Sequence, residues 1–479
     1  MDGKILILKL FLMVTLVSQT TRIALEKTVS QRIVSTSLDI PIFQKGMSYV
    51  SWPPRFDSTE SDESLRLLRL TNTEWVAICF FWYQETINSA KIRPLYNSPS
   101  EESLIHVINK AHELGMRVML KPMVDPLDGH WRGEIPASEA WFESYADFIN
   151  HWADFSERHG VELLCIGCEF NANDRDDGNW RKIVAGVREH YSGPITYAAN
   201  HDNYQNVKWW DSLDYVGIDA YFPLTNTNNP TLDELKQAWR KHADDIEKWV
   251  STVGKPVIFT EIGYRSGDGT NTMPWEWSIN MGVDLKEQAD CYEAAFQVLW
   301  NKSWFYGFYW WNWETSPFVA AMSNSYTPQN KPVEDIVRKW YAREPHAPIF
   351  LSLGRRTYSI VERVILRIMA RPNYSKTLTV HYVVTTGNRL IKSDDARVQV
   401  PQSGICELPV GNYEIGYYTI NVTIIDPATY RTLCEASMEF TVKLELPVIP
   451  LVIMVISVVT ILIVLKIVRK RFRLNRDKP

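Results

Sequence analysis

Between residues 46 and 345 short apolar runs alternate with longer amphipathic ones, and this alternation leaves few folds open to the chain. Apolar runs at 46–50, 75–82, 117–124, 161–169, 195–200, 215–221, 256–261 and 305–311 read as strands. Helical periodicity follows at 61–70, 101–114, 138–159, 179–191, 231–252, 285–301 and 333–341, with only a short helix near 209–212 after the fifth strand. Gly115, Gly160 and Gly254 stand where helices should close. The strands are almost continuously apolar, as expected of parallel strands covered on both faces. Eight βα units predict a TIM barrel over residues 44–345. An open doubly wound sheet is the alternative, but no Gly-rich phosphate loop follows the first strand.

Beyond residue 345 the pattern changes. All 19 Trp lie between Trp52 and Trp340. Residues 348–443 read as short strands with turns, at 364–370, 378–385, 396–400, 417–425 and 436–442, with period-2 alternation in Thr377-Leu-Thr-Val-His-Tyr-Val-Val. They predict a small β-sandwich. Residues 446–465 carry no charge and are long enough for a helix to cross the roughly 30 Å hydrocarbon core of a bilayer. Lys466, Arg469, Lys470 and Arg471 follow, so residues 466–479 are expected as a basic cytoplasmic tail and the rest of the chain as extracellular or lumenal. Residues 1–24 resemble a signal peptide or hydrophobic anchor, although no small-x-small cleavage site follows. The expected localisation is a single-pass membrane protein held in the lipid bilayer by its C-terminal helix.

Charge and cysteines narrow the chemistry. The net charge is -5, and the segment from residue 446 onward holds seven Lys/Arg against one acid, so the body before it carries -11. That excludes a basic nucleic-acid-binding ectodomain. Cys165-x-x-Cys168 has no second metal-spaced pair and lies in an apolar run, so buried strand cysteines are expected, with no metal and no cofactor. Cys406 and Cys434 could be joined by a disulfide in an oxidising compartment.

Barrel active sites form at the C-terminal ends of the strands. There stand Glu169 after strand 4, Asn200 after strand 5, Tyr221 after strand 6 and Glu261 after strand 7, while strand 3 leads through Lys121 and Asp125 into Trp131-Arg132-Gly133. A carboxylate ending an apolar run is costly unless it has partners or a shifted pKa. Two of them facing across one mouth suggest a retaining glycosidase, whose carboxyls sit about 5–5.5 Å apart. Trp82, Trp131, Trp275, Trp311 and Trp313 fall at or beyond strand ends, where rings can pack on the C–H faces of sugars. Trp300 and Trp304, at a helix end, are expected in the core.

Seven segments, in order, carry a family resemblance: Gly46-Met-Ser-Tyr, Val118-Met-Leu-Lys-Pro, Trp131-Arg-Gly, Ile166-Gly-Cys-Glu-Phe, Tyr197-Ala-Ala-Asn, Gly217-Ile-Asp-Ala-Tyr-Phe-Pro and Phe259-Thr-Glu-Ile-Gly-Tyr-Arg-Ser. The chain over about residues 44–343 resembles glycoside hydrolase family 113, of the retaining (β/α)₈ clan and known for β-1,4-mannanase activity. The resemblance implies Glu169 as acid/base and Glu261 as nucleophile, acting on an oligo- or polysaccharide. Tyr221 is expected to hydrogen-bond Glu261. Much of the clan has Asn before the acid/base; this chain has Cys168. A glycan-binding barrel without turnover and a surface transglycosylase are the rival readings.

Overall fold

The computed structural model describes residues 43–343 and, beyond them, 345, 349–353, 357–370, 377–401, 405–427 and 431–444. The predicted N-terminal segment (1–24), apolar run (446–465) and basic tail (466–479) lie outside the described residues. Among the described residues no helix is long and apolar enough to cross a membrane.

Eight parallel strands close into a barrel in chain order: β1 (Gln44–Val50), β2 (Trp75–Gln84), β3 (Arg117–Pro126), β4 (Leu163–Cys168), β5 (Ile195–Asn200), β6 (Val216–Asp219), β7 (Val257–Ile262) and β8 (Phe305–Glu314). Every position of β1, β4 and β7 is buried, so these strands are covered on both faces. The barrel closes where β1 meets β8, with Gly46 opposite Tyr309. A Cβ at Gly46 would lie 2.5 Å from the Tyr309 ring and 2.6 Å from the Phe308 carbonyl, so a side chain there would force the seam apart.

Seven helices clothe the barrel: α1 (Thr59–Arg69), α2 (Glu101–Glu113), α3 (Glu139–Arg158), α4 (Asp177–His190), α5 (Leu232–Val253), α6 (Leu285–Leu299) and α7 (Pro332–Tyr341). Six of them begin on a side-chain cap, Ser58, Ser100, Ser138, Asp176, Thr231 and Asp284, each accepting from the N–H three residues on. Each such cap contributes about 1 kcal/mol. The fifth unit is the exception. Between β5 and β6 the chain makes only a 3₁₀ turn, Trp210–Ser212. Aromatic packing holds that loop: Trp209 stacks on Trp180 with ring centroids 4.9 Å apart, and its indole N–H donates to the Asp174 carbonyl at 2.8 Å.

The later strands form two sheets about a second hydrophobic core. They are β9 (Phe350–Leu353), β10 (Thr357–Ser359), β11 (Val364–Met369), β12 (Thr377–Thr386), β13 (Arg389–Gln399), β14 (Ile405–Gly411), β15 (Gly416–Asp426) and β16 (Arg431–Lys443). One sheet runs β10-β16-β15-β12-β13, the other β14-β11-β9. Alternate residues of β12 and β15 point into the shared core, among them Val380, Tyr382, Ile420 and Ile424. The sequence underestimates β13, an exposed edge strand with no apolar alternation that is defined by pairing with β12. The Cys406–Cys434 disulfide does not form. Cys406 lies on β14 in the smaller sheet, whereas Cys434 lies on β16 in the larger one, bonded to Ser303 of the barrel, and both are free thiols.

Candidate active site

The strand ends deliver an acidic centre built around one buried ammonium group. Lys121 of β3 donates to Glu261 Oε1 at 2.6 Å and to the two Asp219 oxygens at 3.2 and 3.3 Å. Lys121 and Asp219 are completely buried, and Glu261 nearly so. Burial opposes the lysine's charge, but Asp219 and then Glu261 outweigh it and hold the ammonium well above its ordinary range. Asp219 also accepts from Thr260 Oγ1 at 2.7 Å and from the Cys168 thiol at 3.4 Å. One ligand-type atom from each of Cys168, Glu169 and Asp219 lies within 4.8 Å of the others. The positive charge such a group calls for is supplied by Lys121.

The two glutamates are held differently. Glu261, near the end of β7, accepts from Lys121 at one oxygen and from the Tyr221 hydroxyl at the other, 2.8 Å away. Burial and the Asp219 charge push its carboxyl up, while these two donors pull it back toward the anion. Glu169 leaves β4 with φ +56, in the left-handed region that costs a non-glycine residue roughly 1–3 kcal/mol. The turn is pinned on both sides: the Glu169 N–H donates to the Ala198 carbonyl at 2.8 Å and the Phe170 N–H to the Tyr197 hydroxyl at 2.9 Å. The Glu169 carboxylate has only a long contact from the Trp131 indole N–H, 3.4 Å, and the Arg132 guanidinium at 3.9 Å. Burial first, then the Asp219 charge, pushes its carboxyl up to about 8, with Glu261 adding to the effect and Arg132 opposing it. Arg132 itself is engaged by Asp125, at 2.7 and 3.2 Å, and donates to the Cys168 sulfur at 3.3 Å.

The mouth therefore gathers Glu169, Glu261, Trp131, Arg132 and Tyr221. Trp131 and Trp275 are exposed, 42% and 44%, and Trp275 lies stacked on His201 with centroids 5.4 Å apart. Trp311 is half-buried and meets Trp52 edge-on at 6.1 Å. Asn200 ends β5 opposite Asp219, and its carbonyl accepts from the Asn203 and Tyr204 N–H groups. Two residues expected in the mouth lie elsewhere. Trp82 packs on the outside of the barrel against Phe148 and Trp152 of α3, because its strand phase points it at the helices. Trp313 is buried against α1, its indole N–H donating to Ser64 Oγ at 2.9 Å. The neighbour of Trp82 takes the inner position: the Phe81 ring lies 5.6 Å from the Arg132 guanidinium and 6.0 Å from the exposed Trp52. Sequence reasoning also gave Asp219 no role, although an acid inside the apolar run 215–221 was the available signal.

Known proteins resemble the barrel. Residues 47–331 match the model of Glycoside Hydrolase Family 113. A solved structure titled GH113 beta-1,4-mannanase is 30% identical, with TM-score 0.58, covering 63% of this chain and 100% of its own. The GH113 beta-mannanase AaManA from Alicyclobacillus acidocaldarius, in complex with ManMIm, is also 30% identical with TM-score 0.58, over 64% of this chain and 99% of that one. No curated protein sequence matches. With a family match spanning more than half its length, over the strands that carry both glutamates, the chain belongs to glycoside hydrolase family 113.

Proposed function

We propose that the protein is a retaining β-mannanase, with Glu261 as nucleophile and Glu169 as acid/base. The observation that carries the proposal is the unequal hold on the two carboxylates. Lys121 and Tyr221 fix both oxygens of Glu261 and favour its anion. Glu169 lacks a close charged donor and is pushed up to about 8, which keeps it protonated at neutral pH. Glu261 attacks the anomeric carbon while the Glu169 proton passes to the leaving glycosidic oxygen. The bond to the leaving sugar breaks and a glycosyl ester forms on Glu261. Glu169, now a carboxylate, takes a proton from water, whose oxygen displaces Glu261 from the anomeric carbon. Two inversions give net retention. Trp131, Trp275 and Trp311 supply ring faces for the sugar. The β-1,4-mannan substrate is supported by the mannanases of 30% identity.

The same proposal includes a single bilayer anchor formed by residues 446–465, with the barrel on the extracellular or lumenal side. Its support is the uncharged apolar run followed at once by basic residues. Truncation after Lys443 should release a soluble, active protein; an active fragment that stays with membranes after signal cleavage overturns the single anchor. For the chemistry, a panel of β-linked glycans with products followed over time by NMR is decisive. First-formed β-anomers from β-mannan are expected, and α-anomers would rule out retention. Longer products than substrates would instead identify a transglycosylase.

A further inference from the structure

The short fifth unit leaves a groove of about 750 Å³ on the barrel's flank, between the loop after β5 and helix α5. Tyr204, Phe222, His242 and Trp249 line it. Trp249, half-buried, meets Tyr204 edge-on at 4.8 Å, and Phe222 lies 4.7 Å from His242. The groove is joined to the catalytic mouth by rings: His201 also lines it, packs on Phe222 at 5.4 Å, and on its other side stacks on the exposed Trp275. Phe222 and Tyr204 are themselves buried, so the track from the rim of the mouth down the flank is formed by the half-buried His201, His242 and Trp249 packed over them.

The polar rim indicates what such a track would bind. Asp202, Asp245 and Lys248 are exposed at its edge. Burial pushes both His201 and His242 below their ordinary range, so neither adds positive charge at neutral pH. Two acids against one base disfavour phosphates and other anions. Flat rings beside exposed hydroxyl-bonding groups are the surface a neutral pyranose recognises: C–H faces on the rings, hydroxyls on carboxylate and ammonium.

We infer that the groove is a second glycan-binding site, which holds a distant part of the same β-linked chain that the mouth cleaves. The inference rests on the glycosidase reading above, through the ring continuity between Trp275 and His201. It predicts that the groove matters for long chains and not for short ones.

The test uses the full-length protein. Retention in native gels containing soluble β-mannan is measured for Glu261→Ala, with and without Trp249→Ala. Loss of one stacking ring should weaken apparent affinity by roughly three- to tenfold. The exposed pair Asp202→Ala/Asp245→Ala provides a second arm that leaves the helix core intact, and should weaken retention severalfold. Turnover of mannotriose should be unchanged in both groove variants on a wild-type background. Equal retention in both arms overturns the groove, as does an equal loss of activity on mannotriose and mannan in the exposed double variant. Wild-type turnover of mannotriose reports the catalytic reading alone. A protein that splits mannotriose while its affinity ignores both groove variants refutes the groove only; one that neither splits mannotriose nor binds mannan refutes both.

Discussion

Glu261 and Glu169 end equivalent strands of one barrel, yet their surroundings differ. Glu261 is gripped at both oxygens, by an ammonium at 2.6 Å and a phenol at 2.8 Å. Glu169 sits on a left-handed turn, its nearest cation the Arg132 guanidinium at 3.9 Å. The difference teaches that burial alone does not assign a carboxyl its job. Donors that favour the anion suit a nucleophile, and a buried carboxyl without them suits a proton carrier.

The largest break in this comparison is Glu261→Ala. Turnover of any glycoside should fall by about three orders of magnitude or more. Azide should restore part of it, with a glycosyl azide of inverted configuration seen by NMR. Glu169→Ala should cost about 10²–10⁴-fold on unactivated mannan and far less on an aryl glycoside whose leaving group needs no proton; azide there should give the retained configuration. Similar losses on both substrates would place the proton donor elsewhere. Tyr221→Phe removes one hydrogen bond to a charged group and should lower kcat by roughly ten- to a hundredfold, with the fold unchanged by circular dichroism. The smallest effect is on pH. Activity on mannan should decline as pH rises through about 8, where Glu169 loses its proton, and Glu169→Ala should lack that limb. Because Glu169 holds its proton more tightly folded than unfolded, stability should fall as pH rises from about 4.5 to about 8. Glu169→Gln should therefore melt higher than wild type at pH 9, and an equal or lower melting temperature would contradict the shift.

Much of this was legible in the sequence because each βα unit is local. Strand ends follow from where apolar runs stop, and that located both glutamates. What stayed hidden needed partners or phase. Strand β2 is apolar on both faces, so no alternation told Trp82, which packs on α3, from Phe81, which faces Arg132. Trp313 was misjudged for the same reason in β8. Asp219 acquires its meaning from Lys121, 98 residues earlier. The edge strand β13 has no hydrophobic signature at all, since one neighbour defines it.

The docking of the sandwich has a further consequence. Strand β16 packs on α5, and a cleft of about 420 Å³ there is bordered by Gly254, Lys255, Ser303 and Trp304, residues that precede β7 and β8. The sandwich thus attaches at the barrel's closed back, opposite the end that holds the glutamates. From Cys434, beside Ser303, to Lys443 the strand covers roughly 30 Å. Among the described residues the sandwich docks away from the working end, and trimming its outer loops should leave polymer access as it is.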